Sequence, residues 1–220
     1  MNEQGQFVKI EADSAELEGN LNVPEGSLGV VLFAHGSGSS RHSPRNNFVA
    51  DYLRKSHMGT LLFDLLTEEE DQVDRQTREL RFNIDLLAER LTGVTKWLLR
   101  QDRAGSLPIG YFGASTGAAA ALKAAASGKV AVNSIVSRGG RPDLAGDALT
   151  KVTAPVLLIV GGLDTQVIEM NKSAFSKLKS EEKDISIVEG ATHLFEEPGK
   201  LEEVAERARS WFDLCFQGGC

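Results

Sequence analysis

The chain has 220 residues, 41% of them hydrophobic and 25% charged, the profile of a soluble globular protein with enough apolar material for a substantial core. Lys and Arg number 24 against 31 Asp and Glu, for a net charge of −7. That balance argues against a nucleic-acid partner or an anionic membrane surface. The opening "MNEQGQFVKIEAD" has no apolar core behind a basic start, and no run approaches the ~18 apolar residues of a membrane helix, so a soluble cytoplasmic protein is expected.

In chain order, "QFVKIEA" (6–12) and "AELEGNLNVP" (15–24) alternate apolar with polar residues, as half-buried antiparallel strands do. "GVVLFAHG" (29–36), "GTLLFDLL" (59–66), "PIGYFGAS" (108–115), "VNSIVSRGG" (132–140), "APVLLIVGG" (154–162) and "DISIVEGATH" (184–193) are continuous apolar runs, suited to parallel strands covered on both faces. Between them, 44–56 gathers Phe48, Val49, Tyr52 and Leu53 on one helical face, and 78–101 repeats Leu80, Ile84, Leu87, Leu91, Val94 and Leu98 at three- and four-residue steps. Helical spacing returns in 116–127, 167–179 and 200–216. The charged stretch "TEEEDQVDRQ" reads as a solvated loop and helix start, with room to fold over a site as a small flap. The alternation predicts an α/β fold: a mostly parallel central sheet of about eight strands with helices on both faces. Residues 1–214 form one domain in this reading and 215–220 a flexible tail. Cys215 and Cys220, both near the end, supply neither a disulfide framework nor a metal cluster, and an exposed terminal thiol is expected.

In such a sheet, ligands bind at the carboxyl ends of the strands, so the polar residues that follow the strands carry the functional reading. "YFGASTGAAAALKAAASG" (111–128) puts Ser115 between Gly113 and Gly117, after a strand and before an alanine-rich helix. This is the context in which Gly-x-Ser-x-Gly marks a nucleophile on a strained turn. A serine needs a base. Of His35, His42, His57 and His193, only His193 follows the last strand. An orienting carboxylate belongs between them in sequence, which favours Asp164 in "LLIVGGLDT" over Asp143 in "SRGGRPDLA"; a turn or helix cap is the alternative role for Asp164. Oxyanion donors are expected from the N–H groups of Thr116 and Ser37, the latter in "HGSGSSRHSPRN" (35–46). That loop lacks the third glycine and the Lys-Ser/Thr of phosphate-binding loops. Arg41, Arg45, Arg138 and Arg141 lie around the same edge. Arg41 and Arg138 are the better candidates for holding a substrate anion, and bracing of loops is the competing role.

With these parts in order, the chain resembles the α/β-hydrolase superfamily, in its dienelactone-hydrolase-like branch, over about residues 28–213. "HGSGSSRHSPRN", "GTLLFDLLT", "IGYFGASTGAAAAL", "SRGGRPDLA", "LLIVGGLDT" and "GATHLFEEPG" carry the resemblance. It implies a Ser115, Asp164, His193 triad with Ser37 and Thr116 in the oxyanion hole. Dienelactone hydrolase itself uses a cysteine nucleophile where this chain has Ser115, so a lactone substrate is not implied. The stretch between the sixth and seventh core strands, 138–153, has room for little more than a short helix, so no large cap is expected and the site should be open. The expected activity is hydrolysis of small acyl esters without metal or organic cofactor, by a monomer or homodimer. Thioesterase, acyltransferase and non-catalytic ligand binding on the same fold are the alternatives.

Overall fold

The computed structural model describes residues 5–13 and 15–220. Its strands are β1 (Gln6–Ala12), β2 (Ala15–Asn22), β3 (Val30–Ala34), β4 (Gly59–Phe63), β5 (Ile109–Ala114), β6 (Ser134–Arg138), β7 (Val156–Gly161) and β8 (Lys183–Val188). They form one sheet in the order β1-β2-β4-β3-β5-β6-β7-β8, with β1 and β2 antiparallel to their neighbours and the rest parallel. Composition sets position in the sheet. Strands β3, β4, β5, β6 and β7 are buried at every residue, Ser134, Ser137 and Arg138 of β6 included, whereas β1 buries Ile10 and Ala12 and turns its charged residues outward. Strand β8, expected from its sequence to be covered on both faces, is a half-exposed edge strand. The mostly parallel eight-stranded architecture read from the sequence is the one observed.

Helices α1 (Pro44–Lys55) and α6 (Lys200–Phe216) cover one face, packing Val49, Leu53, Val204, Ala208 and Phe212 against Phe33, Phe112 and Ile159. On the other face lie α3 (Ile84–Leu98), α4 (Thr116–Ala126) and α5 (Thr165–Lys177), whose Leu87, Leu91, Ala119, Ala120 and Ala174 meet Leu32, Tyr111 and Leu158. Ala118 through Leu122 are fully buried. With only methyl groups to accommodate, α4 lies close under the sheet and holds its N-terminus tightly against the end of β5.

Two further expectations are corrected. The periodic stretch 78–101 is not one helix. It divides into a 3-10 turn (Leu80–Phe82) and α3, because Arg78 adopts the left-handed conformation at φ 60° that closes α2 (Glu68–Thr77), and Asn83 caps α3 by accepting from Leu86 N–H at 3.1 Å. Nor is the C-terminus a flexible tail with a free thiol. Residues 215 and 216 belong to α6, Cys215 and Cys220 form a disulfide, and Gly219 N–H returns to the Leu214 carbonyl at 2.9 Å. Among the described residues no helix is long and apolar enough to cross a membrane. The connection between β6 and β7 is a kinked 3-10 segment (Pro142–Lys151), with no cap domain.

Candidate active site

Ser115 stands between β5 and α4 with φ 50° and ψ −120°, a backbone region that costs a non-glycine residue on the order of 1–3 kcal/mol. The flanking glycines make the bend feasible. A Cβ on Gly113 would lie 2.4 Å from Ala118 Cα, and one on Gly117 would lie 2.1 Å from the Ala34 carbonyl oxygen and 2.5 Å from that of His35. These obstructions are backbone, which cannot rotate away. Gly117→Ala is therefore expected to destabilise the fold by about 1–3 kcal/mol, the scale of core overpacking, and thermal melts of the variant check it. The helix N-terminus that follows presents N–H groups without intrahelical partners, together with a partial positive charge, beside the Ser115 side chain.

Asp164 occupies the N-cap position of α5, just past β7, yet its side chain makes no capping hydrogen bond. It turns instead to His193, with 2.7 Å between Oδ2 and Nδ1. A carboxylate only accepts, so Nδ1 carries the proton and a neutral ring presents Nε2 as the free base. The His193 loop is pinned from below. Phe195 is buried at 1% exposure, and the lack of a side chain at Gly161 lets the Ala191 and Thr192 carbonyls lie against it, 2.5 Å from where a Cβ would be. The rival carboxylate, Asp143, is held by Arg141 through bonds of 2.9 and 2.8 Å.

Serine and histidine each approach the end of β6. Ser115 N–H reaches the Arg138 carbonyl at 3.4 Å, and the next residue, Gly139 (φ 51°), faces the His193 ring, whose Cε1 would lie 3.6 Å from a Cβ there. Among the described residues no hydrogen bond joins the Ser115 hydroxyl to His193 Nε2. Such contacts are often open in unliganded sites and tighten in the reacting complex.

A cleft of about 830 Å3 opens next to the Ser115 turn, reaching Thr116 but lined by neither Ser115 nor Asp164 nor His193. Its lining includes His35, Gly36, Ser37 and Thr116, so both expected oxyanion donors border it. Gly36 packs directly on Ser115, with 3.1 Å from its Cβ direction to Ser115 Cβ.

The arginines are mostly bound to the protein itself. Arg41 lines the cleft, but Glu18 at 2.6 Å and Asp64 share its guanidinium. Arg45 pairs with Glu196 at 2.9 Å. Arg138 is 6% exposed, borders no part of that cleft and donates to Asn46 Oδ1 at 3.0 Å. Burial, and the nearby Arg45 charge, push its pKa down to about 10. Bracing is thus the role these contacts show for all four.

The stretch with room to fold over the site as a flap forms one wall of the cleft. The charged stretch after β4 is helix α2, closed at its start by a reciprocal cap in which Thr67 Oγ accepts from Glu70 N–H at 3.2 Å and Glu70 returns to Thr67 N–H at 2.9 Å. Buried Asp74 then anchors Arg81 through Nε at 2.5 Å, and that guanidinium lies over Gly38 of the 35–46 loop. The Thr-x-x-Glu spacing of 67–70 was a legible helix-start signal. The Asp74–Arg81 tie had none.

A strained serine at a strand-to-helix turn, with a carboxylate and histidine paired past β7 and β8 of a mostly parallel sheet, accompanies an α/β serine-hydrolase-type fold. The model of the "Dienelactone hydrolase family" matches residues 48–216, and the chain belongs to that family. It is 53% identical to a dienelactone hydrolase from Anabaena variabilis whose crystal structure superposes with a TM-score of 0.91, covering 96% of this chain and 98% of that one. A serine hydrolase without a lid from Xanthomonas campestris shares the fold at TM-score 0.74 and 18% identity, over 96% and 94% of the two chains. The chain is also 54% identical over 213 residues to a Mycobacterium tuberculosis protein named "Putative phosphoribosyl transferase Rv0571c", covering 96% of this chain and 47% of the relative. The chain thus spans about half the length of the curated relatives it matches.

Proposed function

We propose that this family member is a hydrolase of small acyl esters working through an acyl-enzyme on Ser115. The observation that carries the reading is the strained Ser115 turn facing the same strand end as the 2.7 Å Asp164–His193 pair. His193 Nε2 takes the Ser115 proton as Oγ attacks the ester carbonyl. The carbonyl oxygen gains negative charge opposite the N–H groups of Ser37 and Thr116. His193 then gives its proton to the departing alcohol, leaving the acyl group on Oγ. Water, deprotonated by the same nitrogen, releases the acid and restores the serine. Asp164 keeps the ring in the useful tautomer and offsets its transient positive charge. Each oxyanion donor in comparable sites contributes about 2.7–4 kcal/mol to the transition state.

A substrate anion at Arg41 would have to compete with Glu18 and Asp64 for the guanidinium, and Arg138, bound to Asn46, serves this reading as a brace. The open site suits short-chain acyl and aryl esters. Thioester cleavage and acyl transfer to an alcohol or amine use the same steps with a different leaving group or acceptor. The transferase name belongs to a protein twice as long, and no such activity is proposed here. A fluorophosphonate probe tests the reading, with stoichiometric labelling of wild type expected at Ser115. Absence of labelling in folded protein would reject it and leave ligand binding as the function. A panel of p-nitrophenyl esters and acyl thioesters then orders the substrates.

A further inference from the structure

We propose that His35 is a positioning residue that aims the Ser37 N–H at the developing oxyanion, and that it does so only while its ring is neutral; the proposal rests on the hydrolase reading above. His35 Nδ1 lies 2.9 Å from the Gly36 carbonyl oxygen, which also accepts from Ser39 N–H at 3.1 Å. The peptide joining Gly36 to Ser37 is planar and trans, so its C=O and N–H point in opposite directions. Holding the Gly36 oxygen therefore fixes where the Ser37 N–H points. On its other side, His35 Nε2 accepts from Leu65 N–H at 3.1 Å, tying the loop to the backbone just beyond β4. A carbonyl only accepts and an amide N–H only donates, so these two contacts together require the neutral Nδ1–H tautomer. A proton arriving at Nε2 would face the Leu65 N–H donor to donor and break the tie. Because Gly36 packs on Ser115, any rotation of this peptide is felt at the reacting atoms.

The surroundings delay that proton. His35 is 9% exposed, and burial holds its pKa below the ordinary histidine value, although the Gly36 carbonyl and the carboxylates of Asp64 and Asp71 pull the other way. Arg41 occupies Asp64 and Arg75 occupies Asp71, which blunts the pull. The loop thus stays set at neutral pH and is released in acid.

Two measurements test this. In wild-type protein carrying 15N-histidine, NMR is expected to show His35 as the Nδ1–H tautomer at neutral pH, protonating below the ordinary histidine range. An Nε2–H tautomer overturns the proposal. The second is kcat/KM on a p-nitrophenyl ester from about pH 4 to 8, with circular dichroism confirming the fold at each pH. The wild-type acid limb should steepen toward a slope of two, one proton for the base and one for His35. His35→Gln keeps an acceptor for Leu65 N–H and cannot titrate, so its limb should keep a slope of one, with kcat down about tenfold and KM little changed. His35→Phe removes both contacts and should lose about a hundredfold in kcat, approaching deletion of one oxyanion donor. Equal slopes in wild type and His35→Gln, or an unchanged kcat in both variants, overturn the role of His35 while leaving the hydrolase reading intact. Absence of Ser115-dependent turnover in the wild type overturns both.

Discussion

Ser115→Ala should leave a folded protein with kcat on esters lowered about 10^5- to 10^6-fold, the scale seen when the nucleophile of a comparable triad is removed. Only the hydroxyl is lost, and no hydrogen bond of that oxygen supports the fold among the described residues, so circular dichroism and the melting temperature should barely change. Ser115→Gly should be equally inactive but more stable by about 1 kcal/mol, because glycine adopts the φ 50°, ψ −120° conformation at Ser115 without the strain that serine bears. Activity without stability in one residue, and the reverse in its replacement, is a signature that a merely structural serine would not give. If Ser115→Ala kept more than a tenth of wild-type turnover, a different residue would have to be the nucleophile and the acyl-enzyme reading would fall.

The second large effect is expected at Asp164. Asp164→Asn should lower kcat about 10^4-fold with little change in KM. The replacement is nearly isosteric, so the 2.7 Å contact with His193 Nδ1 can persist. Its amide can donate to Nδ1 and shift the ring proton to Nε2, the atom that must accept from serine. The loss is therefore one of tautomer rather than of geometry, and it should ease as pH rises far less than a simple deprotonation defect would. Asp143→Asn is the control: that carboxylate is engaged by Arg141 at 2.9 and 2.8 Å, and its loss should change turnover only a few-fold. A reversed order of effects, measured side by side on one ester, would transfer the orienting role to Asp143.

Much of this was open to reading from the chain. The runs of β3 to β7 read as central strands and the alternating β1 and β2 as strands toward an edge, but 184–193, grouped with the former, is the half-exposed edge strand β8. Gly-x-Ser-x-Gly between a strand and an alanine helix located the turn at Ser115, and strand order pointed to Asp164 and His193. The misreadings have a common cause. Leu80 and Ile84 keep a helical step, but periodicity does not register that Arg78 has turned left-handed or that Asn83 starts a new helix. Cys215 and Cys220 are close enough in sequence to pair, yet only the turn closed by Gly219 N–H on the Leu214 carbonyl brings them together.

What the sequence by itself determined is the set of elements, their nesting into a mostly parallel sheet, and the backbone bend at one serine, because these depend on local pattern and on side-chain volume near the bend. What only the tertiary structure decided is which groups a side chain meets across elements: Asp164 facing His193 rather than capping its helix, the arginines bound by carboxylates and Asn46, α2 walling the cleft, and His35 bridging the Gly36 carbonyl and the Leu65 amide. Those pairings join residues up to 151 positions apart, as Arg45 and Glu196 are. They are settled by the directions in which packed elements present their polar groups, and a linear pattern does not encode those directions.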